Sequence, residues 1–198
     1  MPSLTHYFDI EARAGTEVSM PVIISTVVQR LHCAGKAGAY ALGFPGLKGF
    51  SPGGVVRVFS SDTKLLETLQ DHIERDGVDD FVKIRRIAEV PEGHGYAVFR
   101  SIKAKALPSR ANRREKRRES GVGRHGAYSE EELAAIEEKR DRLNALPYLR
   151  FTSLSTRSPI RVHIEKVEVD SACDGTPNSY GLASGQPGAE RYFSVPDF

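Results

Sequence analysis

Residues 55–75 read VVRVFSSDTKLLETLQDHIER, and this stretch decides the fold. Val55–Phe59 is β-branched and aromatic, which predicts a short strand. Asp62 is an N-cap residue placed just ahead of Leu65, Leu66, Leu69 and Ile73, which fall on one face of a helix. Upstream, Ala39–Phe44 reads as another strand, cut off from Val55 by a loop rich in Gly and Pro. Before it, Met20–Ala34 carries Ile24, Val27, Val28 and Leu31 at i, i+3, i+4 and i+7, with Gly35 as the stop. His6–Ala12 (HYFDIEA) predicts a first strand and Phe81–Val90 a last one. The order βαββαβ predicts an α+β fold, the split βαβ or ferredoxin-like arrangement, over residues 1–95.

Residues 96–198 are expected to form a second, C-terminal part that carries the arginine-rich helix. Tyr96–Lys105 reads as a half-buried strand, and Ser129-Glu130-Glu131-Glu132 as a capping box opening an acidic helix to Asn144. Leu133, Ile136 and Leu143 would point inward from that helix. Pro147–Ser153 and Ile160–Val169 read as strands, and Asp174–Phe198 as a turn-rich hairpin. Gly121–Gly126 (GVGRHG) fits GxGxxG, but it follows a helical pattern rather than a strand, which excludes a dinucleotide site.

Charge is the most uneven property of the chain. Arg100–Arg124 holds ten of the 28 Lys and Arg and two of the 26 Asp and Glu, leaving 18 basic against 24 acidic residues elsewhere. With Ser109 as N-cap, Arg110, Arg113, Arg114, Arg117 and Arg118 follow at i, i+3, i+4, i+7 and i+8, on one helical face. Like charges so close repel, and a polyanion relieves that cost, with Arg suited to bidentate phosphate contacts. The pattern points to nucleic acid. The sheet lacks the aromatic pattern that stacks RNA bases; Lys48-Gly49-Phe50 falls in a loop, so the sheet reads as scaffold.

The composition narrows the field further. Cys33 and Cys173 lie far apart with no ligand spacing, and no Asp/Glu cluster suggests a metal site. No apolar run approaches 18 residues and no secretory pattern opens the chain, so a soluble, cytoplasmic protein without cofactor or membrane partner is expected.

Six pieces in order carry a resemblance: HYFDI, RLHCAG, SRANRREKRR, LPYLRFTSLSTRSPIRVHI, SYGLASG and the terminal SVPDF. Together they resemble the CRISPR RNA-processing endoribonucleases of type I-F systems, the Csy-type repeat nucleases, over nearly the whole chain. The resemblance implies cleavage at the base of a repeat hairpin without metal, by 2′-hydroxyl attack that leaves a 2′,3′-cyclic phosphate. It also implies that the product hairpin is kept and carried into a larger surveillance complex.

Matched by motif, the catalytic histidine falls on His32, the substrate-orienting serine on Ser153 with Ser155 beside it, and the histidine-orienting tyrosine on Tyr180. The groove-inserting arginines fall on Arg114, Arg117 and Arg118, with Arg100, Lys103, Lys105, Arg110 and Arg113 as further RNA contacts. An imidazole, with its ordinary pKa near 6.5, suits the base, and Tyr180 is expected to hydrogen-bond its second nitrogen. Two departures bear on base reading. Ser101 and Lys103 stand where the family has an arginine and a glutamine, and Ile160 replaces a stacking phenylalanine. The alternative from the binding class is a non-catalytic hairpin-binding subunit; duplex DNA is disfavoured because no helix-turn-helix pattern occurs.

Overall fold

A computed structural model of the protein describes residues 4–75, 77–103, 130–152 and 157–198. The elements are β1 (His6–Ala12), α1 (Met20–Ala34), β2 (Ala41–Gly43), β3 (Val55–Ser60), α2 (Thr63–Arg75), β4 (Val82–Ile84), β5 (Ala88–Glu89) and β6 (Gly95–Lys103). After them come α3 (Glu130–Asn144), β7 (Tyr148–Thr152), β8 (Pro159–Val169) and β9 (Val195–Asp197). The fold is α+β, with two antiparallel sheets.

The first sheet runs β2-β3-β1-β4, with β5 also on β1. Alternation in β1 buries Phe8 and Ile10 under α1 and α2, which send down Ile24, Val27, Val28 and Leu31, and Leu66, Leu69 and Ile73. The opposite face carries Asp9 directly across from Arg57, joined by two hydrogen bonds of 2.7 and 2.8 Å. The Arg57 guanidinium also lies over the Phe198 ring at 4.0 Å and donates to the Phe198 backbone oxygen. The C-terminus thus covers part of the sheet's helix-free face.

Helix α2 starts as its sequence requires, since Asp62 Oδ1 accepts from the N–H groups of Lys64 and Leu65 at 3.0 and 3.3 Å. Helix α1 ends where expected, with Gly35 as its C-cap. Gly35 is extended (φ −89°), not left-handed; a Cβ there would lie 2.2 Å from Cε1 of buried Tyr40. The glycine is needed for close approach. Gly35→Ala should therefore destabilise the protein by about 1–3 kcal/mol through overpacking. An unchanged urea midpoint would contradict this.

The single strand expected over 81–90 is split. A 3-10 turn occupies Asp79–Phe81, and β4 and β5 both pair with β1. From Ile84↔Ile10 to Ala88↔Tyr7 the chain advances four residues against three, so one residue is extra. The bulge leaves the Arg85 side chain on Glu11, with bonds of 2.7 and 2.9 Å.

The second sheet runs β7-β8-β6-β9. Val162, His163 and Ile164 are buried in succession, so this part of β8 is covered on both faces. The tail is not an independent hairpin: Ala183 bridges to Arg100 on β6, and β9 pairs with β6 through Tyr96↔Pro196. Phe44 after β2 meets Phe99 of β6 edge-on at 5.7 Å, and the buried side chains of both sheets form one core. The arginine-rich segment, Arg110 to Arg118, lies outside the described residues, as does the Ser129 cap. No helix among the described residues is long and apolar enough to cross a membrane.

Candidate active site

The last turn of α1 ends its apolar stripe at Leu31, and the next residue, His32, is half-buried at the stripe's border. Its Nδ1 lies 2.6 Å from the backbone oxygen of Ser179, in the loop between β8 and β9. A carbonyl only accepts, so Nδ1 carries the proton and, in the neutral ring, Nε2 carries the lone pair. The imidazole is therefore set up to take a proton at Nε2.

Aromatic packing fixes the ring plane. Tyr180 stacks on His32 with centroids 4.2 Å apart and planes 22° apart, and Phe151 of β7 also stacks on Tyr180, at 5.0 Å and 8°. Imidazole nitrogens bond in the ring plane, and a face-to-face phenol lies off that plane, so Tyr180 meets His32 by stacking while the Ser179 oxygen takes the Nδ1 bond. Burial, with a smaller contribution from nearby Cys33, pushes the Tyr180 hydroxyl above its ordinary value, so it stays a neutral phenol near pH 7.

The loop that presents Ser179 is tightly held. Gly181 has φ +71°, and a Cβ there would come within 2.8–2.9 Å of Tyr40 and Leu42. Its oxygen accepts from the Leu42 N–H at 2.8 Å, which fastens the loop to β2. The Tyr40 hydroxyl adds a 3.4 Å bond to the Ser179 oxygen.

The family model for the CRISPR-associated protein Cas_Csy4 matches residues 7–198, a span that includes every residue of this arrangement. The chain belongs to the Cas_Csy4 family. A relative from Escherichia coli (strain UTI89 / UPEC), the CRISPR-associated endonuclease Cas6/Csy4, is 24% identical over 185 residues, covering 91% of this chain and 96% of its own length.

Within this Cas_Csy4 chain, His32 and Tyr180 come together although 148 positions separate them. Ser153, Ser155, Lys105, Arg110, Arg113, Arg114, Arg117 and Arg118 lie outside the described residues, and only the backbone of Lys103 is described. What leads up to Ser153 is described. Strand β7 runs along α1, with the Arg150 N–H on Ser25 Oγ at 3.0 Å and Gln29 Nε2 on the Thr152 oxygen at 2.9 Å. Gln29 is one helical turn before His32, so β7 arrives beside the histidine's end of α1.

Arg100, expected among the RNA contacts, is bonded within the fold. Its Nε and Nη2 both bond Glu165 Oε2, the former at 2.9 Å, while Nη1 donates to the Gly185 oxygen and to Gln186 Oε1 at 3.1 and 2.9 Å. Arg142 of α3 takes the other carboxylate oxygen at 2.6 Å. Burial alone would raise the pKa of Glu165, but the hydrogen bonds from Arg142 and Arg100 outweigh it and hold the carboxyl below its ordinary value. Ser101 is likewise occupied, donating to the Ala183 oxygen at 3.0 Å. Ile160 packs against the core opposite Phe151. His163, the other histidine near this sheet, is 6% exposed, and burial pushes its pKa down.

Sequence reasoning missed Phe151, Asn178 and the Ser179 carbonyl. A backbone oxygen has no side-chain signature, but Asn178-Ser179-Tyr180-Gly181 does carry a turn signal, an Asn followed by a Gly.

Proposed function

We propose that the protein is a metal-independent endoribonuclease that cleaves CRISPR repeat hairpins in precursor CRISPR RNA and retains the product hairpin. The observation that carries the reading is the His32 imidazole held at Nδ1 by a carbonyl, with Nε2 left as the base, in a chain of a CRISPR-associated family with an endonuclease relative.

Nε2 takes the proton of the 2′-hydroxyl at the scissile nucleotide, and the 2′-oxygen attacks the adjacent phosphorus. The P–O5′ bond breaks, the 5′-oxygen gains a proton, and a 2′,3′-cyclic phosphate remains. Ser153 holds the nucleophile in line, and such positioning supplies much of the acceleration. Because the nucleophile is part of the RNA, no metal is needed to generate one.

Residues 1–95 supply the imidazole on a ferredoxin-like frame, a reading supported by the β2-β3-β1-β4 strand order with α1 and α2 on one face. Residues 96–198 hold the RNA. Arg110, Arg113, Arg114, Arg117 and Arg118 span roughly 12 Å of helix, enough to bridge the walls of the deep A-form groove where it opens beside a terminal loop. Lys103, Lys105 and Ser155 add contacts near the foot of the stem. The retained hairpin is the link to the other subunits of a cytoplasmic surveillance complex.

Cleavage of a repeat hairpin should persist in excess EDTA and leave a cyclic phosphate on the upstream product. Activity lost in EDTA and restored by magnesium would overturn the reading. A hairpin bound but never shortened would favour a non-catalytic subunit.

A further inference from the structure

We propose that Asn178 is a positioning residue for cleavage, holding the Ser179 carbonyl against His32 Nδ1 and so fixing the tautomer that leaves Nε2 as the base. The inference rests on the endoribonuclease reading and adds to it a residue that acts through the Ser179 carbonyl rather than on the imidazole itself.

Ser179 contributes only its carbonyl, which any residue would possess, so what matters is how its neighbours fix it. Asn178 makes five hydrogen bonds around that point. Its Oδ1 accepts from the N–H groups of Tyr180 and Leu182 at 2.8 and 3.2 Å. Its backbone N–H donates to the Leu182 oxygen at 3.0 Å, and its backbone oxygen accepts from the Gly181 N–H at 2.9 Å. Its Nδ2 donates to Ser101 Oγ at 2.9 Å. The amide orientation is unambiguous, because the atom facing two N–H groups must be the oxygen.

The residue is 9% exposed and lies in a loop that would otherwise leave the Tyr180 and Leu182 N–H groups without these partners. Ser101 anchors it to β6, because its hydroxyl donates to the Ala183 oxygen while its own N–H donates to that same oxygen at 2.8 Å. The chain of contacts runs from β6 through Ser101 and Asn178 to the turn that carries both the Ser179 oxygen and the Tyr180 ring. One residue thus sets both the hydrogen bond and the stacking that hold His32. The bond at one ring nitrogen decides which state the other adopts, and misplacement by about 1 Å can cost on the order of 10²-fold in rate.

The test reads the tautomer directly. In the full-length protein labelled with 15N-histidine, long-range 15N–1H spectra at a pH where the ring is neutral should show His32 protonated at Nδ1, the resonance being assigned by its loss in His32→Ala. Asn178→Ala should lose that single tautomer and slow single-turnover hairpin cleavage by about ten- to a hundredfold, with hairpin affinity within about threefold of wild type. Asn178→Asp keeps the acceptor for Tyr180 and Leu182 and should restore the Nδ1–H form and most of the rate. If Asn178→Ala does not fold, Ser101→Ala, which removes only the anchor, should give a smaller shift of both readouts in the same direction. A slowed variant that keeps the wild-type tautomer would show a merely structural role and overturn the proposal, as would an unchanged rate. Should the wild-type protein fail to cut RNA, the endoribonuclease reading fails, while the tautomer comparison still decides what Asn178 does.

Discussion

His32→Ala should slow single-turnover cleavage of a repeat hairpin by about 10²- to 10⁴-fold, the usual worth of a positioned general base. The same change should leave hairpin affinity within about 1 kcal/mol, the range of an ordinary surface substitution. The separation follows from placement. The imidazole sits at the end of α1, bonded to Ser179 and stacked on Tyr180, whereas Arg114, Arg117 and Arg118 follow β6 in the sequence. Ser153→Ala should follow the same pattern, because a serine that aligns the nucleophile acts on the chemical step. Single-turnover rates beside gel-shift affinities read both. A near wild-type rate in His32→Ala would remove the base from this site, and His163 is poorly placed to replace it, being 6% exposed within the second sheet.

Replacing Arg114, Arg117 and Arg118 together with alanine should do the reverse. Hydrogen bonds to charged groups are worth about 1.5–3 kcal/mol each, so hairpin affinity should fall by roughly 3 kcal/mol or more. Single-turnover cleavage at saturating protein should stay within about tenfold, since phosphate contacts away from the reacting atoms would hold ground state and transition state alike. Salt gives an independent reading. Neutralising about five phosphates should cost the wild-type protein roughly two orders of magnitude in affinity between 50 and 200 mM salt, and the triple variant should show a slope lower by about three counterions. A flat salt dependence in the wild type would contradict a groove-bound arginine face.

What the sequence made legible follows the range of the forces involved. The bounds of β1 and α1 were readable because alternation and the Ile24–Leu31 stripe are local patterns, and the Asp62 cap acts within three residues. The split of β4 from β5 was not, because the extra residue is visible only against the partner strand. The stop at Gly35 was readable, but not that a side chain there would meet Tyr40, because that ring arrives through the fold. The bond from Arg100 to Glu165, 65 positions away, was equally invisible, because a local charge run does not show which carboxylate the fold brings to it. His32 and Tyr180 carry little signal singly; motif order singled them out, and the structure joins them through a stack and a carbonyl that composition could not reveal.

The most direct measurement uses a repeat hairpin with a single 2′-deoxy substitution at the nucleotide before the scissile phosphate, incubated with the wild-type protein in EDTA. The account predicts binding within about threefold of the all-ribose hairpin and no detectable cleavage, because the nucleophile itself is gone. Cleavage of the deoxy hairpin at a rate near that of the ribose form would contradict it, since the attacking oxygen would then have to come from elsewhere.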